Sequence, residues 1–496
     1  MLNLDRPALR ARLNDHPDDV AARAALYRDL LDTGEASLDG LRVAAGLRDP
    51  AAIAALASLI TTERANRVAP WLMQLQGLPV DHLDLPDAEV GWLDALAGLP
   101  LRSLVLDGPH FACGRAVWRR LPALRLESLE ISTFSRADDS SGLPSLERLR
   151  RLKLHTHGED FDDTFLDHLA GGVLEELSLN YCDEVTDDGL RELSRLTLRS
   201  LTFERAAGIT SRGVARLRGH PLEHLAIGWN SALSKDPSCL SGLTSLRSLS
   251  LDQCYAGDAV LAAIRHLPLE RLSLDSSYVT EDGLAELDGM PLTDLALKCP
   301  RQLGSLGDTL DALRGLPLKR LALGDMRGFS ERGLAHLEGL ALESLDLSLN
   351  EVTAKGLKHL AGLPLKALDL GYCRGIDGKA LRALAELGLP LERLDLGGLN
   401  LRDADLACLR QLPLRHLSLS DSPWLTDAGV AHLVGLPLQH LTIGADPGEP
   451  KLTSGAVPAL AQLPLETLWL PNCSGIDADG WARLAALPAR VSGPGI

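Results

Sequence analysis

Few residues in this chain have the types and spacing needed for chemistry. His155-Thr156-His157-Gly158-Glu159-Asp160, followed by Asp162 and Asp163, sets two histidines two apart beside four acids. In an extended segment both imidazoles would fall on one side, the arrangement a divalent metal needs; the other reading is a solvated turn of an irregular repeat. Cys373-Arg374-Gly375-Ile376-Asp377-Gly378-Lys379-Ala380 approaches a phosphate-binding loop. Cysteine stands where the first glycine belongs, and Ala380 has no hydroxyl for Mg²⁺, so it reads as a turn. His-Glu-x-x-His and Gly-x-Ser-x-Gly do not occur. The chain is therefore read as no enzyme, and no metal or other cofactor is expected.

A second set of residues points to binding. Asp346, Asp369 and Asp395 recur at one position of successive repeats, with Asp325 and Asp421 near the ends of flanking strands. Stacked about 4.8 Å apart on a sheet, such a column repels itself and attracts a partner's lysine or arginine, although aspartate here also suits local hydrogen bonding. Arg393 is expected to offset part of the repulsion. Beside it come His224, His416 and His440, with Arg271 and Arg320; Tyr181, Trp229 and Tyr372 lie just past strands and Trp469 on one. Large aromatics on an exposed face are common interface anchors.

The elements that position these groups come from one recurring unit, Leu-x-x-Leu-x-Leu-x-x-(Cys/Asn), with a period of about 24 residues. Clear copies begin at Leu174, Leu222, Leu246, Leu269, Leu318, Leu342, Leu365, Leu391, Leu414 and Leu465, and weaker ones at Val80, Leu101, Leu126, Leu149, Leu198, Leu292 and Leu438. In the copy Leu342–Asn350, Leu345 and Leu347 face inward from a short strand while Ser344, Asp346 and Ser348 face out. The ninth place holds Asn230, Asn350, Cys182, Cys254, Cys373 or Cys473, small polar groups able to satisfy backbone where the chain leaves the sheet. Thr-x-x-Gly-Leu follows, as at Thr186, Thr280, Thr353 and Thr426, with Ser330 in one repeat. That hydroxyl predicts a helix N-cap, and acids in the first turn suit the helix dipole. Pro-Leu pairs such as Pro364-Leu365 then stop the helix. The prediction is an α/β solenoid of about 17 repeats over residues 77–496, with a parallel sheet on the concave side of a horseshoe and short helices on the convex side.

Residues 1–76 lack the unit and read as helices: one begins at Asp5-Arg6-Pro7, a second runs from about Val20 to Leu31, and Gly34 ends it. They are expected to cap the open first strand, a separate docking module being the other reading.

Composition agrees. Of 496 residues 45% are hydrophobic and only 4% aromatic, so the core is leucine on leucine. A net charge of -17, from 67 acidic and 50 basic residues, argues against nucleic acid and anionic membranes and favours a basic or mixed-charge protein partner. The start Met1-Leu2-Asn3-Leu4-Asp5-Arg6-Pro7 has no secretory pattern, which predicts cytoplasmic residence. The eight cysteines contain no Cys-x-x-Cys and are expected to be reduced and buried.

The Leu-x-x-Leu-x-Leu-x-x-(Cys/Asn) unit resembles leucine-rich repeats. With Thr-Asp-x-Gly-Leu it is similar to the cysteine-containing repeats of F-box proteins; its short Gly-Leu-x-x-Leu helix looks like bacterial GALA-type repeats. The stretch from Asp15 to Glu35 is similar to a bacterial repeat-companion domain. Abundant Ala, Arg, Gly, Pro and Leu suit a GC-rich bacterial genome. The resemblance implies a protein-binding scaffold that recognises its partner on the concave face. It also admits a targeting or regulatory subunit of an enzyme complex, or a host-directed effector of the substrate-receptor type. The residues ahead of the repeats do not read as an F-box, so ligase function is not carried over.

Overall fold

The computed structural model describes residues 81–85, 92–106, 115–134, 147–156, 161–298, 310–326, 329–444, 451–487 and 489–493. The expected cap at 1–76, Cys113, Cys299 and the segment from His157 to Asp160 lie outside them. The chain divides after Ile227 into two units.

In the first unit the described strands are β1 (His82–Leu85), β2 (Ser103–Leu106), β3 (Ser128–Phe134), β4 (Arg151–Thr156), β5 (Glu176–Leu179), β6 (Ser200–Phe203) and β7 (His224–Ile227). Each pairs in parallel with the next. The second unit holds β8 (Ser248–Ser250), β9 (Arg271–Ser273), β10 (Asp294–Ala296), β11 (Arg320–Ala322), β12 (Ser344–Asp346), β13 (Ala367–Asp369), β14 (Arg393–Asp395), β15 (His416–Leu419), β16 (His440–Ile443), β17 (Thr467–Trp469) and β18 (Arg490–Ser492), again parallel and in order. Both are leucine-rich-repeat solenoids. Every repeat start read from the sequence leads into a strand. β18 is an addition, because Val491 stands where the repeat has leucine.

Register follows from the leucines. Leu345, Leu368, Leu394, Leu417, Leu441 and Leu468 pair across successive strands and are all buried. Each is worth about 2 kcal/mol relative to exposure, and a slip by one residue would turn the whole row to water. Short helices close the other side: in Asp187–Leu193, Leu190 and Leu193 are buried. Some repeats tighten this turn into a 3-10 helix, as at Asp311–Gly315 and Asp403–Gln411.

The expected caps are present. Thr186, Thr210, Thr280, Ser330, Thr353 and Thr426 each accept a backbone N–H of the following turn. The acid at the first helical position does more than complement a dipole. Asp163 accepts the Thr186 N–H at 2.8 Å and its hydroxyl at 2.6 Å, one repeat onward. Asp187 does so for Thr210, Asp258 for Thr280, Asp403 for Thr426 and Asp427 for Thr453. This ladder explains the recurring glycine. A methyl group on Gly283 would lie 2.0 Å from Asp258 Oδ1 and 3.1 Å from its Cβ. Gly283→Ala, which in an open helix would stabilise by about 1 kcal/mol, is therefore expected to cost about 1–2 kcal/mol net, read as a lowered urea midpoint. A raised midpoint would show that the aspartate does not occupy that space.

One backbone feature recurs without a sequence mark. The eighth residue of the unit is left-handed at Tyr181 (φ 48°), Trp229 (56°), Gln253 (58°), Leu349 (61°) and Tyr372 (56°). In this conformation the Leu349 and Tyr372 amides donate to the carbonyls of Gly371 and Gly397, each one repeat onward. The bond holds a conformation that costs a non-glycine residue about 1–2 kcal/mol.

Candidate functional site

The third and fifth places of each strand face away from the helices. On the second unit they enclose an open trough of about 540 Å³ running from β12 to β17. Its floor is the fifth place: Asp346, Asp369, Asp395, Ser418, Thr442 and Trp469. One wall is the third: Ser344, Ala367, Arg393, His416, His440 and Thr467. A second trough of about 330 Å³ lies over β8 to β12, where Ser250, Ser273, Ala296 and Ala322 make the floor shallow and uncharged as far as Asp346. Arg271 and Arg320 rise beside it, with Asp294 bound to Arg320.

The aspartates stand in register, Asp346 opposite Asp369 and Asp369 opposite Asp395. Each commits Oδ1 locally: Asp346 to the amide and hydroxyl of Ser348 at 2.9 and 2.7 Å, Asp369 to the Gly371 amide and Asp395 to the Gly397 amide, both at 2.8 Å. Local hydrogen bonding thus explains one oxygen of each. Asp346 Oδ2 is taken by Lys298, whose ammonium lies 2.5 Å away. The sequence reading looked to Arg393 for part of the compensating charge and did not name Lys298, which supplies this pair. Arg393 lines the trough beside His416, its strand neighbour.

These surroundings shift the acids apart. Burial pushes the Asp369 carboxyl up to about 6, its Gly371 bond opposing and the flanking Asp346 and Asp395 reinforcing. Burial also raises Asp346, but Lys298 and Ser348 outweigh it and hold that carboxyl below its ordinary range. Burial lowers Lys298, while Asp346, with Asp275 and Asp369, more than restores it. For Asp369 the raised value means that the folded state favours the proton. That stability is present below the ordinary carboxylate range and lost as pH climbs through about 6. Asp369→Asn is therefore expected to match wild type at pH 4 and to exceed it by about 1–2 kcal/mol at pH 7.5, after discounting for water at the free oxygen. Equal urea midpoints at both pH values would refute this.

Along the wall, the His416 and His440 rings stack with centroids 4.1 Å apart and planes at 14°. His440 Nδ1 lies 2.6 Å from Thr467 Oγ1. Burial first, then His440 and Arg393, lowers His416 below its usual range. Trp469 closes the row with 55% of its surface open.

Seven of the residues singled out from sequence thus meet in one trough: Asp346, Asp369, Asp395, Arg393, His416, His440 and Trp469. Tyr372 lies beside it, crossing over Gly398 to donate its hydroxyl to Asp421. Trp229 is 59% exposed but belongs to the repeat before β8, away from the trough. Tyr181 is in the first unit, half-buried beneath the Arg205 guanidinium, which in turn pairs with Asp183. Sequence reasoning missed Lys298. It also missed Trp424, 53% exposed, whose indole N–H donates to Asn400 and whose ring lies 3.9 Å from the Lys451 ammonium. The available mark for Lys298 was glycine at the same place one repeat on, Gly324.

The other candidate chemistry is spoken for. Asp162 caps the helix Asp163–Leu169 and Asp163 holds Thr186, so neither waits for a metal beside His155. In the loop at Cys373, the Lys379 and Ala380 amides that a phosphate would need are bound by Asp377. Cys182, Cys254, Cys373 and Cys473 are buried and form no disulfide with one another. Burial pushes the Cys254 thiol up to about 12 and the Cys373 thiol to about 11, the opposite of a reactive cysteine. Among the described residues no helix is long and apolar enough to cross a membrane.

Comparison with known proteins gives a family described as leucine-rich repeat, matching residues 173–194 and 342–361. A solved structure, the crystal structure of the Rad7 and Elc1 complex in yeast, is similar over 81% of this chain and 94% of that one. The identity is 18% and the TM-score 0.44. No curated protein matches.

Proposed function

We propose that this chain is a non-enzymatic scaffold whose acidic trough, on β12 to β17, receives a basic or mixed-charge segment of a protein partner. The carrying observation is the aspartate row in register. Each carboxylate has one oxygen held rigid by its own backbone or a neighbouring serine, which fixes the other without occupying it at Asp369 and Asp395. Charge spaced this way is preorganised for ammonium and guanidinium groups, so little ordering is needed on binding. The stacked imidazoles and the open indole of Trp469 supply flat surface for the rest of the segment, cations included. Arg271, Arg320 and Asp294 over β9 to β11 extend the face with mixed charge.

The test is affinity capture at pH 7.5 with wild type and with Asp369→Asn/Asp395→Asn, followed by reconstitution with the captured protein. Wild type is expected to hold its partner at least about tenfold more tightly than the variant, although the variant should be the more stable of the two at this pH. Lowering the pH through about 6 should release it, as Asp369 takes up its proton. Equal affinity for the two proteins would remove the trough from the function.

A further inference from the structure

One cation on the open face crosses a whole repeat to reach the aspartate row. Lys298 follows β10, yet its ammonium sits on Asp346 of β12. The corresponding outward places of the intervening repeat are held by the small residues Ala322 and Gly324. A methyl group on Gly324 would lie 2.9 Å from Ser348 Oγ and 3.6 Å from Lys298 Cδ, so bulk there would crowd the lysine stem. Asp275 and Asp369 add to the field that holds the ammonium. Of three equivalent carboxylates, the first therefore carries a lysine of the chain itself. Among the described residues no ion pair reaches the next two.

We infer that Lys298 is a tethered occupant of the first socket of the trough. A partner segment presenting successive lysine or arginine side chains takes Asp369 and Asp395 and displaces Lys298 to take Asp346. The inference rests on the reading of the trough as a binding face. It is carried by charge complementarity, and the seated ammonium shows which chemistry the row accepts. The exchange of one ammonium for another costs little, because the lysine stem is flexible and its head regains water. Lys298 then acts as a brake: it preserves the geometry of Asp346 in the free protein and lowers affinity for weakly basic segments.

The probe is a fluorescein-labelled synthetic peptide of alternating lysine and serine with four lysines, titrated into the full chain by fluorescence anisotropy at low salt. Lys298→Met is expected to tighten binding about fivefold and to steepen its salt dependence. Lys298→Arg should behave as wild type. Adding Asp346→Asn to Lys298→Met should cancel the gain. Lys355→Met, which removes an equal charge paired to Glu331 on the helical side, should leave affinity unchanged and so excludes a net-charge effect. If Asp369→Asn/Asp395→Asn weakens binding while Lys298→Met equals wild type, Lys298 is no competitor and only this inference fails. If no protein binds the peptide, or Asp369→Asn/Asp395→Asn binds it as wild type does, the trough reading itself fails and takes the inference with it.

Discussion

Asn350→Leu is expected to destabilise the second unit by about 3–5 kcal/mol, the largest effect of any single polar substitution considered. Asn350 is 3% exposed and spends its whole amide on backbone. Its Oδ1 accepts the Met326 N–H at 2.9 Å, and its Nδ2 donates to the carbonyls of Leu323 at 2.7 Å and Leu347 at 2.9 Å. Two of the three partners belong to the preceding repeat, so the side chain pins neighbours together as well as closing its own turn. Leucine has nearly the same volume and would bury more apolar surface, but it strands three buried polar groups. Asn350→Cys should cost only about 1–2 kcal/mol, because a thiol there can still donate to one carbonyl. Cys373, in the equivalent place, does so to Leu347 at 3.0 Å. Urea unfolding with amide exchange at Leu321 and Leu345 measures both the size and the place of the loss. A leucine variant that unfolds with wild type would mean that water, not the asparagine, satisfies this turn.

Asp258→Ala should cost about 2–3 kcal/mol, against a few tenths for Asp282→Ala. Both acids lie in the first turn of a short helix, and dipole complementarity alone would rank them alike. Asp282 is exposed, whereas Asp258 binds the Thr280 amide at 2.8 Å and hydroxyl at 2.7 Å one repeat away. A charged acceptor gripping two donors at once contributes more than either bond to water would. Similar losses for the two variants would reduce the ladder to a dipole effect.

Much of this was legible in the amino-acid order. The repeat starts, the inward leucines, the threonine caps and the thiols buried at the ninth place all follow from a pattern repeated often enough to be read without a partner in view, whereas Cys408, elsewhere in its repeat, is only half-buried. Seven of the site residues could be grouped for the same reason: equal places in successive units must stack. Tyr181 and Trp229 were drawn in by residue type and a place just past a strand, and neither says which stretch of the sheet a side chain shares.

What remained hidden depends on atoms 22 to 49 residues apart along the chain, such as Thr280 with Asp258 and Tyr372 with Asp421. The left-handed eighth residue ranges from tyrosine, tryptophan, leucine and glutamine through arginine and serine to aspartate and asparagine, so no one residue type marks the turn; a carbonyl of the next repeat holds it there, as at Leu349 and Tyr372. Lys298 shows the same limit in the trough. Periodicity specified where strands lie and which way they face, because that depends on burial of one side of a short segment. Which charge meets which carboxylate, and which glycine must stay bare, was decided only when the repeats stacked, since those contacts depend on the reach of side chains across neighbours rather than along them.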